Sequence, residues 1–172
     1  MKVELTEDEK QLLALLPQSI GSAMAMAGKS GLFGTGKEMF AAGQAMLAGA
    51  KNFPGNELIR DLIPDPTAAD RKGEFDQMKK TRDWASERMK SLGIDSAEKF
   101  TAQTLKDVQS AGELLAKVGA QNAEEYKRWT MSVAETVANA ASEGGFLGFG
   151  GERLSENEKK LLADFRKAFG LS

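Results

Sequence analysis

Nowhere does this chain sustain the apolar–polar alternation of a half-buried strand, whereas apolar residues return every three or four positions along most of its length. Val and Ile are sparse, and Ala, Leu, Met, Glu, Lys and Gln, all good helix formers, dominate. Pattern and propensity together specify an all-α fold: a helical bundle of six to seven helices with two glycine-rich interhelix loops. A chain of 172 residues suits a single all-helical domain, 1–172, with a sizeable core. The break at Pro64-Asp65-Pro66 allows a subdivision into N-terminal helices, 1–63, and a C-terminal bundle, 67–172.

The helix starts and stops are written locally. Thr6 with Glu9 forms a capping box and opens a first helix to about Gly28, with Pro17 as a kink or restart. A second runs from about Thr35 to Lys51 and is rich in small residues, which suggests close packing against a neighbour. A short third, Asn56 to Ile63, is capped by Asn56. The fourth, from about Thr67 to Ser91, carries Phe75, Met78, Ala85, Met89 and Leu92 as one stripe and ends at Gly93. Ser96 opens a fifth to about Val118, with Phe100, Val108, Ala111 and Leu115 on one face. Asn122 with Glu125 opens a sixth, with Tyr126, Trp129, Val133 and Val137 in its stripe. Ser155 with Glu158 opens the last, whose apolar face holds Leu161, Leu162, Phe165 and Phe169.

Two glycine motifs match in spacing. Gly31-Leu32-Phe33-Gly34-Thr35-Gly36-Lys37-Glu38 returns, altered, as Gly145-Phe146-Leu147-Gly148-Phe149-Gly150-Gly151-Glu152. The candidate ligand-binding residues are therefore Gly31, Gly34, Gly36, Lys37, Gly145, Gly148 and Gly150. The first copy fits G-x-x-x-x-G-K, whose amides cradle phosphate while the lysine reaches the outer oxygens. Three features oppose that chemistry. Glu38 stands where a hydroxyl would hold magnesium, no strand precedes the motif, and Gly151 replaces Lys37 in the second copy. What the copies share is glycine, a glutamate and large apolar residues. Those serve a turn in which left-handed glycines end one helix and begin the next, with the glutamate in the first turn as a cap.

The residues that are missing exclude much chemistry. There is no cysteine and no histidine, so disulfides, thiolate catalysis, zinc–cysteine sites and histidine general bases are absent. No catalytic residues and no metal ligands are assigned, and no cofactor is expected. The carboxylates Glu7-Asp8-Glu9, Asp61/Asp65 and Glu124-Glu125 sit at helix ends and match no calcium loop. A net charge of −2, without long basic runs, argues against nucleic acid. The acidic N-terminus is not a signal peptide, and the uncharged run from Gln11 to Gly28 is too thin in apolar residues for a membrane span. A buried helix and a cytoplasmic location follow. Trp84 lies off its helix's main stripe, which makes it a candidate for packing against another chain.

The run Ala141 to Ser155, with its core Gly144-Gly145-Phe146-Leu147-Gly148-Phe149-Gly150-Gly151, resembles a signature (GGFLGFGG-x-x-[LV]-S-x-x-E) of a family of small bacterial helical proteins. The region from Leu12-Leu13 through Gly34 is similar to their first half. The resemblance implies a bacterial, cytoplasmic, helical protein and transfers no activity or catalytic residue. Three functions follow from the residues. The first is a non-enzymatic helical-bundle protein acting through protein–protein contacts, as a homo-oligomer or with a helical partner. The second is small-molecule or anion binding at the glycine-rich loops. The third is peripheral membrane association through residues 20–50, which the scarcity of basic residues there disfavours.

Overall fold

The computed structural model describes residues 5–28, 31–63, 70–142 and 154–171. Among them are seven helices and no strand: α1 (Glu7–Ala27), α2 (Gly31–Asn52), α3 (Glu57–Leu62), α4 (Arg71–Ser91), α5 (Ala97–Leu115), α6 (Ala120–Ser142) and α7 (Glu156–Ala168).

The local signals act largely as their chemistry dictates. The Thr6 hydroxyl accepts from the Glu9 amide at 3.3 Å while the Glu9 carboxylate accepts from the Thr6 amide at 2.7 Å, closing a reciprocal capping box. Ser155 and Glu158 repeat it at the start of α7, at 3.3 and 2.8 Å. Gly93 takes φ +63° at the end of α4, where its own amide donates to Lys90 and the Ile94 amide to Met89. That pair of bonds is the Schellman arrangement, and Gly170 repeats it after α7 at φ +70°.

Three starts differ from the sequence reading. Helix α4 begins at Arg71 rather than near Thr67, with the Asp70 carboxylate accepting from the Gly73 amide at 2.9 Å. Helix α6 begins at Ala120, with the Ala123 amide donating to the Gly119 carbonyl, so Asn122 lies inside the first turn and is not a cap. Its supposed partner Glu125 is claimed instead by the Gln121 and Asn56 side chains, at 3.0 and 2.9 Å. Asn56 is fully buried and does double duty: it caps α3 through the Ile59 amide and donates to the Asn122 carbonyl of α6. Helix α2 begins at Gly31 rather than near Thr35, so Gly31, Gly34 and Gly36 have helical backbone and form no left-handed turn. Nor does Glu38 stand in the first turn, which holds no acidic residue. Glycine is permitted in a helix as well as in a turn, at a cost of about 1 kcal/mol relative to alanine, and the chain continues as helix here.

Helix α1 is the centre of the molecule and packs against all six others. This explains why it carries no charge from Gln11 to its end: Leu13, Leu16, Ile20, Ala23 and Met24 are essentially inaccessible. Small residues set how closely its neighbours approach. A Cβ on Gly21 would meet Ala42 of α2 at 3.3 Å and both Val133 and Val137 of α6 at 3.4 Å. The close packing expected of the Ala/Gly-rich second helix is thus present, with Gly49 lying directly against the indole of Trp129.

Pro17 lies within α1 without ending it. A proline has no amide hydrogen, so the carbonyl four residues earlier, Leu13, loses its helical donor. The Tyr126 hydroxyl of α6 donates to that carbonyl at 2.7 Å. Tyr126 is fully buried and meets Trp129 edge-to-face, with ring centroids 5.6 Å apart, and the Trp129 indole N–H donates to the Met46 carbonyl of α2 at 3.3 Å. The two aromatics therefore join α6 to both α1 and α2 through hydrogen bonds as well as packing.

Candidate functional site

Helix α4 turns a row of large apolar side chains outward, and α2 also exposes Phe40 and Leu47, at 68% and 52%. Phe75, Met78, Met89 and Leu92, members of the stripe read from the sequence, are 67%, 55%, 39% and 48% exposed, so that stripe lies on the solvent side of the helix. The residues that hold α4 to the body are polar or aromatic. Lys80 reaches Glu7 at 2.9 Å, and the Trp84 indole donates to Asp8 at 3.0 Å. Arg88 forks onto Asp107 of α5 at 2.8 and 2.7 Å. Trp84, assigned from the sequence to contacts with another chain, instead faces α1 and stacks under the Arg88 guanidinium at 5.4 Å. At 100° per residue, the centre of this inner face lies roughly 130° around the helix from the centre of the apolar row.

The cause is the charge of the partner helix. Helix α1 opens with Glu7, Asp8 and Glu9 in its first turn, where acids favour the helix dipole. Cations and an indole N–H on α4 complement that cluster better than Phe75 or Met78 would. An open cleft of about 560 Å³ lies between the two helices, with Leu12, Trp84, Glu87 and Arg88 among its walls. Its principal donors and acceptors are already matched within the protein. Asp8 accepts from Trp84, Glu9 from Lys117 at 2.8 Å, and Arg88 is held by Asp107. The cleft thus serves as a polar seam between helices.

Beside that seam the Arg88–Asp107 fork ties α4 to α5 by two charge-assisted bonds, and Asp107 is also an acceptor for the Gln103 amide at 2.8 Å. Asp107→Ala removes an almost fully buried acceptor and leaves Arg88 without its anion. A loss of about 1–3 kcal/mol is expected, read as a lower urea midpoint at unchanged slope. A change below about 0.5 kcal/mol would mean that α4 is held by other contacts.

Several surface carboxyls sit below the usual carboxylate range: Glu7 through Lys80, Glu9 through Lys117, Glu125 through Gln121 and Asn56, and Glu156 through Lys159. A depressed carboxyl supports the fold above its unfolded value of 4.5, and that support is lost as pH falls through its folded value. Burial pushes the only tyrosine, Tyr126, the other way, so its contribution is complete below 10.0 and declines as pH rises beyond it. No histidine or cysteine titrates between these limits. The melting temperature should therefore be level from about pH 5.5 to 9 and fall on both sides. Tyrosinate absorbance at alkaline pH should appear only together with loss of helix; tyrosinate forming in a fully helical chain would contradict the burial of Tyr126.

Of the sequence-assigned ligand residues, Gly31, Gly34, Gly36 and Lys37 lie in the first two turns of α2. Gly145, Gly148 and Gly150, with the second motif, lie outside the described residues. Among the described residues no group of three or more Asp and Glu side chains is arranged to hold a metal ion, and no helix is long and apolar enough to cross a membrane. No family model matches this chain, and neither a curated protein nor a solved structure matches it.

Proposed function

We propose that this chain is a non-enzymatic helical-bundle protein of the bacterial cytoplasm that acts through protein–protein contacts, with the outward face of α4 as its interaction surface. The observation that carries this reading is the inverted amphipathicity of α4: polar and aromatic groups toward its own bundle, and Phe75, Met78, Met89 and Leu92 toward solvent. Four large apolar side chains in one row on one helix form a patch of the kind that marks interaction sites, whereas isolated exposed apolar residues are ordinary. A helical segment laid along the row would bury it by the packing used between helices inside proteins. The absence of histidine and cysteine supports a binding role over a catalytic one.

Site-specific photo-cross-linking in bacterial cells tests this. A photoreactive residue at Met78 should yield protein adducts, and the same residue at Lys106, on the exposed side of α5, should not. Equal labelling at both positions, or none at Met78, would sink the reading.

A further inference from the structure

The outward row of α4 reads Phe75, Met78, Arg82, Ala85, Met89, Leu92, with spacings alternating three and four. That is the spacing of a coiled-coil seam, short by the standards of free-standing coiled coils but anchored here on a folded body. The row is also symmetric about its own midpoint, between Asp83 and Trp84. Turned end for end and laid against itself, it places Phe75 opposite Leu92, Met78 opposite Met89, and Arg82 opposite Ala85. An isologous interface needs this property, because each residue must suit the one that it meets and be met in return. The layers also suit one another by size: a large ring with a leucine, two adaptable methionines together, and the longest side chain over the smallest.

From this symmetry, and resting on the interaction reading above, we infer that the partner of α4 is α4 of a second copy of this chain, packed antiparallel. Area supports it. At their observed exposures the four large side chains present roughly 400 Å² of apolar surface per copy, at the scale of the largest patch on an ordinary monomer. With the flanking stems of Lys79 and Arg82 from both copies, the contact reaches about 1,000–1,200 Å², the lower bound for a specific interface. Charge favours the antiparallel sense. The first half of α4 holds Arg71, Lys72, Lys79, Lys80 and Arg82 against Glu74 and Asp76, while the second half balances Arg88 and Lys90 with Asp83 and Glu87. Antiparallel packing sets the basic half against the neutral one; parallel packing would set the two basic halves together. Arg82, near the two-fold axis, already holds the Asp83 carboxylate at 3.1 Å, which offsets its meeting a second copy of itself. The remaining face of α4 is committed to α1, so the two bodies would lie on opposite sides of the helix pair.

Sedimentation across a concentration series should show a monomer–dimer equilibrium. Met78→Glu/Met89→Glu should weaken association by on the order of a hundredfold. Both positions are exposed, so circular dichroism of the variant should match the parent. The register is tested separately, which the lack of native cysteine makes simple. A short bismaleimide should join a Met78→Cys chain to a Met89→Cys chain in a mixture, and neither chain to itself, because like positions would lie about 16 Å apart along the axis. Self-linking of either variant, or a dimer that persists in the double glutamate variant, would overturn the proposal. A strict monomer would overturn it as well. If Met78 then still cross-links in cells to a protein of another mass, the interaction reading stands and only the second copy fails; with no adduct, both fail.

Discussion

Gly49→Ala is expected to destabilise the protein by about 3 kcal/mol, a large effect for the addition of one methyl group. On helix propensity alone the change should stabilise by about 1 kcal/mol, since alanine is the best helix former and glycine among the worst. Packing reverses the sign. The added Cβ would sit against the Trp129 indole nitrogen and only 2.6 Å from its Cδ1 and Cε2. Trp129 is 1% exposed and fixed on a second side by Tyr126, so the indole has no empty space to move into. Helix α2 must retreat from α6, which also breaks the bond from the indole N–H to Met46. For a chain of this size the loss corresponds to roughly 6–12 °C in melting temperature. Gly49→Ala combined with Trp129→Leu should cost less than the sum of the two single changes. A Gly49→Ala variant that melts within a degree of the parent would show that the helices can separate there at little cost.

Tyr126→Phe should cost about 2–3 kcal/mol, although it removes a single oxygen from a ring that otherwise stays in place. Most of that loss comes from the other end of the bond. Leu13 has no helical donor because of Pro17, so without the hydroxyl its buried carbonyl is orphaned. The cause can be separated from simple loss of packing. Pro17→Ala returns an amide hydrogen to position 17 and with it the normal helical bond to Leu13. In that background Tyr126→Phe should cost less than about 1 kcal/mol, a coupling of at least about 1 kcal/mol in a double-mutant cycle. Equal costs in both backgrounds would separate Tyr126 from the proline and reject this account.

What could be read from the sequence was what is decided within one helical turn. Thr6 with Glu9, Ser155 with Glu158, and Gly93 all act as their neighbours predict, because each satisfies amides or carbonyls three or four residues away. Where a distant group competed, the local signal failed. Asn122 and Glu125 have capping-box spacing, but Asn56, far back in the chain, bonds to both. The stripe on α4 was legible as a row, and its orientation was not. Periodicity reports that a helix has an apolar side; it does not say what lies across from the other side. Here that is the acidic first turn of α1, more than seventy residues earlier, which draws Lys80 and Trp84 inward, while Asp107 of α5 holds Arg88. Trp84, expected to meet another chain, consequently faces α1, and the stripe residues Phe75 and Met89 face solvent. The glycine motif at Gly31 was ambiguous for a different reason: glycine marks turns and is also tolerated in a helix, so its spacing alone did not select between them.

The pairing of Pro17 with Tyr126 also bears on how the molecule is made. Residue 17 leaves the ribosome long before residue 126. Until then the central helix lacks the donor that closes the gap in its hydrogen-bond ladder at Leu13, the Tyr126 hydroxyl. The nascent α1 is consequently an incomplete template, finished only when α6 arrives, so the two most buried helices should become stable together and late in synthesis.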